Sequence, residues 1–162
     1  KESVQAGLSP EKSPNWLKLG ETLPNWMPIS KMERPWLILQ ILGAARNAMA
    51  VNESNAKMGL VCATPTAGSA GCLPAVLTTA IVKTDLSESQ QLDFLFTAGA
   101  FGLVIANNAS ISGAEGGCQA EVGSASAMAA AAITMAAGGT PFQASQAICF
   151  VLKICWDSSA TL

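Results

Sequence analysis

The run from Gln119 to Ala137 limits the fold more than any other part of the chain. Alanine dominates it, with Gly123, Ser124 and Ser126 among the methyl groups. Alanine is the strongest helix former and adds little bulk, so neighbouring helices can lie against such a segment at close range. Small-xxx-small spacing of this kind also occurs in membrane helices. Alanine and serine provide little transfer energy, however, and Glu121 stands at the start of the run, so a membrane bundle is a distant alternative.

The segments around it also read as helices. Pro35 suits a first helical turn, and Trp36, Leu37, Ile38, Ile41, Leu42, Ala45 and Met49 give an apolar face through about Ala50. A second apolar helix runs from Cys72 or Pro74 to Lys83. Ser87-Glu88-Ser89-Gln90 is a capping sequence for a third, which continues to about Ala106. That third helix is apolar nearly all round, which predicts a central buried position. Gly138-Gly139 closes the alanine-rich helix, and Thr140-Pro141 opens a last one to about Lys153. Residues 1–30 hold Pro10, Pro14, Pro24 and Pro28 with no sustained period, leaving loop and a short helix near Ser3 to Leu8. No strand pattern is sustained. The expectation is an all-α fold: one helical domain, a bundle with glycine-rich loops at its helix N-termini.

Two of those loops have the composition of a ligand site. Asn107 to Glu121 places Gly113, Gly116 and Gly117, two carboxylates (Glu115, Glu121) and Cys118 at the head of the alanine-rich helix. Helix starts carry free N–H groups and partial positive charge, which favour a thiolate or a bound anion. Gly59 to Gly71 puts Thr66, Gly68, Ser69 and Gly71 before another helix start, a pocket for a carboxylate or phosphate. It is not a P-loop, because no Gly-Lys-Ser/Thr follows the glycines. The blander readings are a capped helix with a glycine hinge and a tight turn with an inert cysteine.

Taken together, the loops closely resemble the alpha chain or alpha domain of the iron–sulfur L-serine dehydratases, from about Lys31 to Lys153. The motifs of that family run Ala-Pro-Thr-Ala-Gly-Ser-x-Gly and Asn-Ala-x-x-Ser/Ala-Gly-Ala-Glu-x-Gly-Cys-Gln-x-Glu-x-Gly-Ser-Ala. Here they stand as Ala63 to Gly71, with Thr64 inserted before Pro65, and as Asn108 to Ala125. The resemblance implies a lyase, independent of pyridoxal phosphate, that converts L-serine to pyruvate and ammonia in amino-acid catabolism that feeds gluconeogenesis. It implies a [4Fe-4S] cluster whose open iron, as a Lewis acid, takes the substrate hydroxyl. On that basis Cys118 is a cluster ligand, and Thr66, Gly68, Ser69 and Gly71 receive the serine carboxylate. Asn108, Ser112, Gly113 and Glu115 line the opposite wall. A beta chain or beta domain and a homo-oligomer are the expected partners.

The later cysteines of the family, in Leu-Gly-Leu-x-Cys-Asp-Pro-Val-x-Gly and Pro-Cys, do not occur. After Lys153 the chain reads Ile154-Cys155-Trp156-Asp157 and a short polar tail, and moving the frame by one base permits Asn-Met-Leu-Gly-Leu-Val-Cys-Asp-Pro. Gly20 to Ile29, shifted likewise, permits Gly-Asp-Ala-Ala-Lys-Leu-Asp-Ala-Tyr. The expected division is therefore an irregular, frame-altered segment 1–30, an incomplete family domain 31–153 and a non-family tail 154–162. Such a chain is expected to hold no cluster and to be inactive alone. Cys62, Cys72 and Cys149 are expected to be small buried hydrophobes. There is no histidine, so the catalytic base is a carboxylate, a lysine or a group outside this chain.

Composition bounds the alternatives. Half of the residues are apolar and only 12% are charged, which points to a surface covered by a partner or by a remainder of the enzyme. A net charge of -2 gives no basic field, so nucleic acid is not an expected partner. Five cysteines without framework spacing, and no secretion signal pattern, point to the cytoplasm. Two other functions fit the residues: a helical module that binds a small carboxylate without catalysis, and a related dehydratase acting on threonine.

Overall fold

The computed structural model describes residues 35–159. Within them lie five helices and no strand: α1 (Pro35–Ala56), α2 (Cys72–Thr84), α3 (Glu88–Asn108), α4 (Gly113–Ala136) and α5 (Pro141–Ser159). The fold is all-α, as the sequence implies. The helix expected near Ser3 to Leu8 lies outside the described residues.

Local chemistry sets the helix ends. Ser87 and Gln90 form a reciprocal capping box, the Ser87 hydroxyl accepting the Gln90 N–H and the Gln90 side chain accepting the Ser87 N–H. Thr140 and Gln143 repeat the arrangement at the start of α5. At the end of α4, Gly138 adopts φ 85°, and the Gly139 and Gly138 amides donate to Thr134 and Met135 carbonyls, a glycine C-cap. Asp85 turns left-handed after α2, at φ 49°.

The alanine-rich helix is the hub. Helices α2, α3 and α5 pack on α4, and α1 packs on α2. Ala125, Ala127, Ala131 and Ala132 of α4 have no exposed surface. Leu73, Phe94, Ala98, Met128, Ala129 and Ala132 form one core cluster, and Ala127, Ala131, Ala144 and Ile148 a second. Close approach is built in: a Cβ at Gly102 would lie 2.7 Å from Met128 Cε.

The central buried position expected for the third helix is not found. Only Phe94, Ala98 and Gly102 of α3 are buried, while Leu92, Leu95, Phe96, Leu103 and Val104 are exposed. A single stripe of α3 meets α4, because the small residues of α4 admit three neighbours and take the middle themselves. Two helices also run further than expected, α1 to Ala56 and α5 to Ser159. In α5, Lys153 and Asp157 pair at 3.0 Å across one turn, the i,i+4 spacing that supports helix continuation.

Candidate functional site

The first loop is held from beneath by α1. Asn55 Nδ2 donates to the Ala67 carbonyl at 3.2 Å, and the loop passes so close to α1 that a Cβ on Gly71 would lie 2.5 Å from the Ala48 carbonyl oxygen. Only glycine fits there. Glu53, buried on α1, is neutralised by Lys57 at 2.8 Å one turn later. Inside the loop the Ser69 N–H donates to Thr66 Oγ1 at 3.3 Å, the Ala70 N–H to the Ala67 carbonyl, and the Cys72 N–H to the Ser69 carbonyl. Thr64 precedes a cis Pro65. Ala67 and Gly68 are exposed, and their N–H groups have no partner among the described residues.

The second loop is more helical than its glycines suggest. It was expected to precede a helix beginning near Gln119; instead α4 opens at Gly113 with Ser112 as N-cap, accepting the Ala114 N–H at 3.2 Å. That first turn breaks at Gly117, φ 77°, and the continuous helix resumes at Cys118. The break suits glycine, since other residues adopt that region at a cost. Ser110 donates to Glu115 Oε2 at 2.8 Å, and Asn108 Nδ2 donates back to the Val104 carbonyl at 2.7 Å.

The two loops meet at Glu121. Its Oε1 accepts the hydroxyl of Thr66, and a Cβ on Gly68 would stand 2.6 Å from the same oxygen. On the other side, a Cβ on Gly113 would stand 2.6 Å from Oε2. One carboxylate from the first turn of the continuous helix thus fills the gap between both glycine loops. Thr66, Gly68, Ser69 and Gly113 are brought together around it. Gly71 faces α1 instead, and Asn108, Ser112 and Glu115 make their hydrogen bonds within their own helix or loop. Glu121 was noted as a carboxylate of the stretch but not assigned to the site; its place one turn after Cys118, at a helix start that favours acids, was the available clue.

Cys118 is exposed on that same first turn. It is not sealed in the core. The burial expected of other thiols is wrong for two of them: Cys62 and Cys149 are exposed, and Cys72 is only half-buried. Burial pushes the Cys72 thiol up from its ordinary value, against a hydrogen bond with Ser126 and aided by nearby Cys155. Among the described residues no three His, Cys, Asp or Glu side chains come together as a metal site. They do not fit a whole iron–sulfur cluster; Cys118 is a single accessible thiol. Clefts of about 500 and 460 Å³ lie between α3 and the end of α4 and between α1 and α2, and neither is lined by a motif residue. Among the described residues no helix is long and apolar enough to cross a membrane.

Residues 1–156 match the family model described as serine dehydratase alpha chain. The probable L-serine dehydratase alpha chain of Bacillus subtilis is 62% identical over 113 residues, covering 70% of this chain and 38% of the relative. That of Latilactobacillus sakei is 57% identical over 113 residues, covering 70% and 54%. The L-serine dehydratase alpha chain of Peptoniphilus asaccharolyticus is 48% identical over 100 residues, covering 62% and 34%. The chain thus spans 54% or less of the length of these relatives. No solved structure matches the chain.

Proposed function

We propose, from the premise that this chain belongs to the serine dehydratase alpha chain family, that it forms part of the L-serine site of a lyase releasing pyruvate and ammonia. The observation that carries the reading is the junction at Glu121, where the Thr66–Gly71 loop and the Gly113 turn close on one carboxylate beside the exposed Cys118. The reaction removes the Cα proton and the β-hydroxyl of serine; the resulting aminoacrylate hydrolyses to pyruvate and ammonia.

In this reading the chain binds and orients. The serine carboxylate is received by the first loop, at the Ala67 and Gly68 N–H groups, which have no partner among the described residues. Thr66, Ser69 and Gly71 fix the shape of that loop, Ser69 from a buried position at 2% exposure. Gly113 stands on the facing wall, and Asn108, Ser112 and Glu115 shape the loop and turn that present it. Cys118 is one thiolate ligand of a [4Fe-4S] cluster, and the remaining ligands and the base lie outside the described residues. Alone, the chain keeps no cluster and does not turn over serine. A beta chain or domain and further copies cover the exposed apolar side chains of α3 and α5, in a cytoplasmic enzyme.

Titrating the amide resonances of the chain with L-serine tests the site. L-serine is expected to move Ala67, Gly68 and Gly113 selectively, with L-threonine bound within about tenfold, since one methyl changes pocket affinity modestly. Shifts scattered over the clefts, or none at the two loops, would remove the basis of the proposal.

A further inference from the structure

Glu121 is the one side chain on which both motifs converge: Thr66 and Gly68 of the first loop and Gly113 of the second meet its carboxylate. Thr66 Oγ1 lies 2.8 Å from Ser69 Oγ and accepts the Ser69 N–H at 3.3 Å, while its own proton goes to Glu121. A carboxylate only accepts, so its presence orders the chain of donors: Ser69 O–H to Thr66 Oγ1, and Thr66 O–H to Glu121. The second, independent observation is steric. Where the carboxylate passes between the loops both flanking positions are glycine, and a methyl on Gly68 or Gly113 would approach its oxygens to 2.6 Å.

We infer that Glu121 is a positioning residue, which sets the direction of the Thr66 and Ser69 hydroxyls and fixes the first loop against the turn that bears Cys118. The inference rests on the proposed serine site and names a residue that site needs. It also assigns the serine carboxylate to backbone N–H groups: the Thr66 proton is already committed, and a second anion at that hydroxyl would meet the charge of Glu121. An acceptor oxygen is what the role requires, so Glu121→Gln retains it and Glu121→Ala does not.

Hydrogen exchange in the full chain, without serine, reads the role directly. In Glu121→Ala and in Thr66→Val the Ser69 and Ala70 amides are expected to exchange about tenfold faster, while Ala131 and Ala132 in α4 keep their rates. Glu121→Gln should restore loop rates to within about threefold, and the Glu121→Ala/Thr66→Val pair should be no faster than Thr66→Val alone, because Thr66→Val already removes the hydroxyl through which Glu121 acts, together with the acceptor of the Ser69 N–H. L-serine affinity should follow the same order, lost in Glu121→Ala and rescued in Glu121→Gln. Loop rates unchanged in Glu121→Ala, additive effects in the pair, or no rescue by Gln would overturn the inference. The expected changes in loop rates, found where the unsubstituted chain itself fails to bind L-serine, would uphold the positioning role and remove the serine site instead.

Discussion

A single methyl group measures how closely the first loop lies on α1. In Gly71→Ala the new Cβ would meet the Ala48 carbonyl at 2.5 Å and Asn52 Oδ1 at 3.1 Å, and a backbone oxygen cannot retreat. The expected loss is about 2–3 kcal/mol of unfolding free energy, read from urea denaturation. Gly99→Ala provides the contrast. Nothing lies within 4 Å of that position inside α3, so removing backbone freedom should stabilise the chain by about 0.5–1 kcal/mol. At this scale the sequence was partly legible. The residue types of the site could be read from the motifs, but the pairing of Thr66 with Glu121 could not, because it joins positions 55 apart and depends on how α4 lies beside the loop. Thiol burial was misjudged at Cys62 and Cys149 because cysteine's usual preference for the interior says nothing about which face of a given segment is covered.

Helix boundaries depend on which end chemistry is available. Ser87-Glu88-Ser89-Gln90 encodes its capping box locally, and so it was readable before any packing was known. Replacing Ser87 with Ala removes both the side-chain acceptor and the reciprocal geometry, and is expected to cost about 1 kcal/mol in thermal or urea unfolding. A Ser87→Asn change should cost less than half of that, since Asn also caps. The start of α4 was not readable in the same way. Gly113, Gly116 and Gly117 are poor helix formers, so the pattern suggested a loop, whereas Ser112 caps a true helical turn before the break at Gly117. The central place given to α3 failed for a related reason. Apolar composition sets what can be buried, but small side chains decide which helix the others can approach.

At the scale of the molecule, most of the large apolar side chains left in solvent among the described residues stand on α3 and α5. Phe96 is 74% exposed on α3, and Phe142, Phe150 and Trp156 are 69–75% exposed on α5. Such a surface binds hydrophobic dyes, and Phe150→Ser is expected to reduce dye fluorescence while changing stability by no more than about 0.5 kcal/mol. A larger loss of stability would place Phe150 in the core instead. The most direct measurement compares Cys118→Ser with Cys62→Ser in this chain assembled, with its proposed partner chain or domain, into an iron-loaded enzyme. Cys118→Ser is expected to lower bound iron and to cut pyruvate formation from L-serine by at least about a thousandfold, while Cys62→Ser leaves both unchanged. Full iron content and turnover in Cys118→Ser would contradict it.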